Sequence, residues 1–274
     1  LFLFLAIFST AAFLARFWFV ESPGWLVLHG RTREAEKNVR HFLGKDVHLG
    51  ELANLKAQPK LPPKTNKERF SGQNIRRIIL CGVPWGCEGM GVYGIGIFTP
   101  ILLVTLGLLS NGNNPLEKTI ESFRFTFYIN LFVIAGFLLG LTVFRRFNLI
   151  RTQIIGFFIC AIGLIVTLLG YLYHGSPMFT LGGFLLFELA LNAGPHLTTF
   201  ELPSRIYSLQ DRAGGEGIAS ALGKCGAIIA TFVIPLLLKA GGGKLVLIVA
   251  IATLATGGLI TLLAAPRTAK EEKT

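Results

Sequence analysis

Seven apolar stretches, approximately 1–20, 78–109, 123–144, 153–173, 178–201, 215–238 and 245–265, take up most of the chain. Each is close to the roughly 20 residues that carry an α-helix across a hydrocarbon core. None alternates apolar and polar positions over ten-residue strands, so helices are expected rather than a barrel. The polar segment 21–77 separates the first stretch from the other six. Within it, Glu21-Ser22-Pro23-Gly24 predicts a turn that leaves Trp25 and Leu26 at an interface. Thr32 to Leu43 predicts a short amphipathic helix, and Lys56 to Lys67, with Pro59, Pro62 and Pro63, a solvated linker. The expected organisation is a transmembrane helix (1–20), a long loop (21–77), a six-helix bundle (78–265) and a tail (266–274).

Composition supports an all-α membrane protein. Hydrophobic residues make up 52% of the chain and charged residues 15%, which excludes an ordinary soluble domain. The net charge of +11 is explained by position rather than by a nucleic-acid partner. Twenty Lys and Arg fall in 21–77, in the turns around 145–151 and 205–212 and in the tail, against three (Lys118, Lys239, Lys244) in the alternate loops. This asymmetry predicts a cytoplasmic C-terminus in a plasma or inner membrane. No continuous basic face for nucleic acid is visible. Cys81, Cys87, Cys160 and Cys225 sit in apolar spans without CxxC spacing and read as small packing residues, so no metal or cofactor is expected. HExxH, GxSxG and a nucleophile–base pair are absent, so no catalytic residues and no enzyme are expected.

Polar residues inside apolar spans are costly in lipid and therefore carry the chemistry. Lys224 lies about ten residues into its span, too deep to snorkel easily, and needs an anionic or carbonyl partner. Glu188, Asn192 and His196 recur every fourth residue, a stripe that should face a cavity, beside the helix-breaking Pro195. Glu88 lies among Gly86, Gly89 and Gly91, where local unwinding would let its carboxylate reach the interior. Gly215, Ala219, Gly223 and Ala227 form a small-residue seam for a close helix neighbour.

Val20-Glu21-Ser22-Pro23-Gly24-Trp25-Leu26 resembles the PESPRWL box after helix six of sugar-porter-type members of the major facilitator superfamily. Trp85 with Tyr93-Gly94-Ile95-Gly96-Ile97-Phe98-Thr99-Pro100 is similar to helix seven of their phosphate/proton-symporter relatives. Asn192-Ala193-Gly194-Pro195-His196-Leu197-Thr198-Thr199-Phe200, then Pro203 and Gly223-Lys224, resembles helices ten and eleven. Against W-x-x-x-D-x-x-x-Y the acid falls on Gly89, and against N-x-G-P-N-x-T-T-F the second Asn falls on His196. The turn after helix ten carries Arg205 where relatives carry Glu, and Gln210 where they carry Arg. Phe144-Arg145-Arg146-Phe147 keeps a double Arg, while Ala265-Pro266-Arg267-Thr268 lacks a PETKG box.

The resemblance implies a six-helix bundle of major-facilitator type plus the helix before it, numbered six to twelve, with a missing N-terminal half as partner. It implies transport of a small polar or anionic solute (phosphate, organic acid or sugar-like) by alternating access, coupled to protons in a symporter, within a lipid bilayer. Trp85, Tyr93, Asn192, His196 and Lys224 would bind the solute, and Glu88, Glu188 or His196 would carry the proton. Glu21, Arg145, Arg146, Arg205, Asp211 and Arg212 would form conformational latches. The competing expectation is a sensor or assembly protein that keeps the fold after its motifs have decayed.

Overall fold

Proline, glycine and asparagine set the element boundaries in the computed structural model, which describes residues 2–44, 72–106, 108, 114–144, 146–173, 177–208 and 211–265. Two compact units divide the chain, residues 1–65 and 66–274. The linker expected at Lys56 to Lys67 and the tail 266–274 lie outside the described residues.

In the first unit, α1 (Phe2–Ala15) is apolar on all sides, buries none of its residues and runs into a 3-10 turn, Arg16–Trp18. The expected turn at 21–24 is instead the start of α2 (Pro23–Leu28). Ser22 caps it by accepting the Trp25 N–H at 3.2 Å, and Pro23 occupies the first turn, where its missing N–H costs nothing. Leu26 is therefore not interfacial, since it is buried with Ala35 where α2 meets α3 (Thr32–Leu43). Gly30 at φ 74° turns the chain between them, and Gly44 at φ 62° ends α3, both in the left-handed region that favours glycine. Arg31 and Glu34 form a bidentate pair at 2.8 and 2.6 Å.

Among its described residues the second unit holds helices joined by short turns, with no strand. α4 (Gly72–Gly89) passes into a π-helical stretch, Met90–Gly96, and then α5 (Ile97–Thr105), making one apolar rod. α6 (Pro115–Phe144) starts earlier than its apolar stretch because Asn114 accepts the Leu116 N–H at 3.0 Å and Pro115 opens the helix. α7 (Leu149–Leu172) is capped by Asn148 in the same way. α8 (Pro177–Ala193) breaks at Gly194 (φ −124°, ψ −95°) and resumes as α9 (Pro195–Ile206). α10 (Arg212–Ala264) has 53 residues. Straight, it would measure about 80 Å at 1.5 Å per residue, far beyond a bilayer core of about 30 Å.

Gly241 and Gly242 resolve that mismatch. Gly242 sits at φ 63°, ψ −160°, where a β-carbon would clash with its own backbone, and the helix folds back there. Its first half runs alongside α4 and the π-helical stretch, with Leu222 against Gly82 and Ala230 against Gly94, and just past the break Gly243 lies against Leu106. Its second half returns, placing Leu254 against Gly91, and the Arg76 guanidinium donates to the carbonyls of Ala264, at 3.1 Å, and Ala265. The described residues of the second unit thus make six helical passes.

Lipid tails offer helices no hydrophobic reason to associate, so the passes are held by close packing. Gly215, Ala219, Gly223 and Ala227 are all buried, as the seam predicts. The tightest approach is one residue away, where a β-carbon on Gly226 would lie 2.1 Å from the Gly86 carbonyl oxygen. Phe157, Phe184, Phe187 and Leu164 fill the core among α7, α8 and the second half of α10. α6 turns Phe123, Phe127, Leu138 and Leu141 outward, exposed within this chain. Cys81, Cys87 and Cys160 are buried, whereas Cys225 is exposed, which differs from the packing role expected of all four.

Candidate functional site

Pro84 has no N–H to return to α4, and six residues later the helix widens into its π-helical stretch, whose sequence Met-Gly-Val-Tyr-Gly-Ile-Gly tolerates the change of pitch. Glu88 needs no unwinding of the kind the sequence suggests. It remains helical at 2% exposure, and its carboxylate meets Nδ1 of His196 from the first turn of α9. The ring of His196 is flanked edge-on by Phe137, at 5.3 Å between centroids, and Phe200, at 5.6 Å.

A cavity of about 330 Å³ opens beside this pair, between the π-helical stretch and α5, α6, α8 and α9. Glu188, Asn192 and His196 all line it although Gly194 interrupts their helix. Asn192 donates from Nδ2 to the Glu188 backbone carbonyl at 2.8 Å, so its amide oxygen is left for the cavity. Tyr93, at 36% exposure, lines it from the π-helical stretch. Its hydroxyl accepts a hydrogen bond from Lys224 Nζ at 3.0 Å, and the ammonium lies 4.9 Å from the ring centroid, within cation–π reach.

Two expectations change. Lys224 is exposed within this chain rather than buried. Gly223 and Gly226 must face α4 to allow its close approach, and about 100° of rotation per residue then turns positions 224 and 225 outward. Trp85, expected as a stacking wall, is instead a packing residue at 7% exposure, seated on Gly223 and edge-on to Phe200 at 4.7 Å. It does not line the cavity.

The latch residues are dispersed. Arg205 pairs with Glu201, one turn back, at 2.9 Å, and Asp211 accepts from the Ser208 hydroxyl at 2.8 Å. Arg212 buries an Nε that has no hydrogen-bond partner among the described residues. Arg146 is exposed, and Arg145 lies outside the described residues. Glu21 belongs to the first unit, where its carbonyl accepts from Asn38 at 2.9 Å.

Sequence reasoning missed the wall supplied by α6. Thr126, Asn130, Val133 and Phe137 face the cavity at three- and four-residue steps. The signal was present in Asn130, an amide in an otherwise apolar run.

Comparison with known proteins places this geometry. Residues 1–272 match the family model described as "Sugar (and other) transporter". The chain is 29% identical over 248 residues to the "Inner membrane metabolite transport protein YgcS" of Escherichia coli, covering 90% of this chain and 51% of that one. It is 25% identical over 214 residues to the "Low affinity inorganic phosphate transporter 4" of Lotus japonicus, covering 75% and 40%. The chain thus spans about half the length of the curated relatives it matches. A solved structure of a double-tryptophan XylE mutant superposes with a TM-score of 0.73 at 18% identity, covering 95% of this chain and 55% of that chain, a likeness of fold alone.

Proposed function

We propose, given that the chain belongs to the sugar (and other) transporter family of the major facilitator superfamily, that it supplies one wall of a path along which a small polar solute crosses the membrane by alternating access, coupled to protons. The observation that carries this reading is the cavity of about 330 Å³, whose wall holds His196 in contact with the otherwise buried Glu88. That volume is at the small end of those that enclose a single small molecule. The polar groups around it are expensive in a membrane unless they meet water or a solute.

Coupling follows from the pair. Glu88 and His196 hold a proton between them, and Nε2 of the same imidazole is left for the solute. A solute that bonds the imidazole changes the pair's hold on its proton, and by linkage the proton changes the hold on the solute. Tyr93 contributes a hydroxyl from the π-helical stretch, oriented by Lys224. The relatives are about twice as long as this chain, and transport is assigned to the full-length protein, whose further half would close the cavity and rock against this one. The Lys and Arg asymmetry supports a cytoplasmic C-terminus in a plasma or inner membrane.

The test is solute uptake by the full-length protein in proteoliposomes carrying a pH indicator. Glu88→Gln is expected to abolish the pH change that accompanies solute addition. A pH change that persists in this variant would remove Glu88 as the proton carrier.

A further inference from the structure

The acceptors and donors around the cavity are unequal in number. Thr99 donates its hydroxyl proton to the Ile95 carbonyl at 2.9 Å and Thr126 to Ser122 at 2.7 Å, so both present lone pairs to the space. Asn192 has used one of its two amide N–H groups on the backbone and offers Oδ1 and the other. His196 has used Nδ1 on Glu88, and Nε2 is the ring nitrogen left over. The donors left on the wall are the Asn130 amide, the second N–H of Asn192 and the Tyr93 phenol, fewer than the acceptors.

Glu188 makes the imbalance sharper. Its side chain is on the cavity wall at 6% exposure, and no hydrogen bond or ion pair reaches its carboxylate among the described residues. The charged groups nearby are committed elsewhere. Glu88 and His196 satisfy each other, and Lys224 donates to Tyr93 and is not part of the wall. An anion such as phosphate needs several convergent donors or cations. This cavity shows it lone pairs and a carboxylate instead.

We infer that the solute bound here carries an amino group, protonated to ammonium, and that Glu188 is the residue that selects it. The inference rests on the transport-path reading of the cavity and deepens it by naming the solute class. An ammonium brings two or three donors and a positive charge to a space with more acceptors than donors and, among the described residues, no uncommitted cation on its wall. A buried carboxylate left unpaired is costly, and pairing it with an ammonium recovers that cost only for solutes with a cationic donor. Neutral polyols fit the same space but leave the charge unpaired.

The test uses two probes of one shape, glucosamine and glucose, with inorganic phosphate as the third. Binding is measured calorimetrically on purified full-length protein in nanodiscs. Glucosamine is expected to bind at least about tenfold more tightly than glucose, with phosphate weakest, the size of effect a desolvated charge pair gives over a neutral contact. Glu188→Gln is expected to erase the difference between the two sugars, and Glu188→Asp, which keeps the charge, to retain it. Equal binding of the two sugars, tighter binding of phosphate, or a preference that survives Glu188→Gln would overturn the inference. Transport fails separately, since preferred binding of glucosamine without uptake into proteoliposomes would remove the transport reading and leave the selectivity of Glu188 standing.

Discussion

Lys224 and Tyr93 share a hydrogen bond and a cation–π contact, and each residue fixes where the other points. Substituting both, as Lys224→Ala and Tyr93→Phe, is expected to cost less than the sum of the single changes. The coupling should be about 0.5–1 kcal/mol in a double-mutant cycle of thermal unfolding. In uptake by the full-length protein, Lys224→Ala should lower apparent solute affinity through a mispositioned Tyr93, and unchanged uptake would separate the pair from the solute path. In the first unit the Arg31 hydrogen bond holds the exposed Glu34 carboxyl below the usual carboxylate range. A depressed acid stabilises the folded form above its unfolded pKa, and that contribution is lost as pH falls through the folded value. An NMR titration should find Glu34 ionising below the other exposed glutamates, and Arg31→Ala should return it to them.

At the scale of the helices, glycine spacing decides how near two rods come. Gly226→Ala would drive a methyl group into the Gly86 carbonyl oxygen, 2.1 Å away, with backbone on both sides and nothing able to swing aside. It should destabilise by about 1–3 kcal/mol. Gly217→Ala on the same helix meets nothing within 4 Å and should be neutral or slightly stabilising because alanine is the better helix former. Melting temperatures of the two variants in one detergent check both outcomes. The seam was legible beforehand because small residues at four-residue intervals have one economical use in lipid. Gly226 was not, because choosing among adjacent glycines requires the rotation of α4. The stripe of Glu188, Asn192 and His196 was legible for a similar reason, since lipid rejects all three. What escaped was any residue whose role depends on a partner far along the chain. Trp85 reads as a binding aromatic until Gly223 and Phe200 are found against it. Glu88 reads as misdirected until His196 arrives from more than a hundred positions away.

For the second unit as a whole, the fold-back at Gly241–Gly242 is the feature that decides the path of the chain. At φ 63° a side chain is strained whatever space surrounds it, so Gly242→Ala should cost about 1–2 kcal/mol, read as a lower unfolding temperature. The Arg76 guanidinium clasps the last carbonyls of α10, which places the end of that helix beside the beginning of α4. Odd and even passes therefore cancel between residues 72 and 265. An epitope spliced just ahead of Gly72 and another attached beyond Ala265 must surface in the same compartment, and antibodies applied to sealed vesicles of known orientation should stain both or neither.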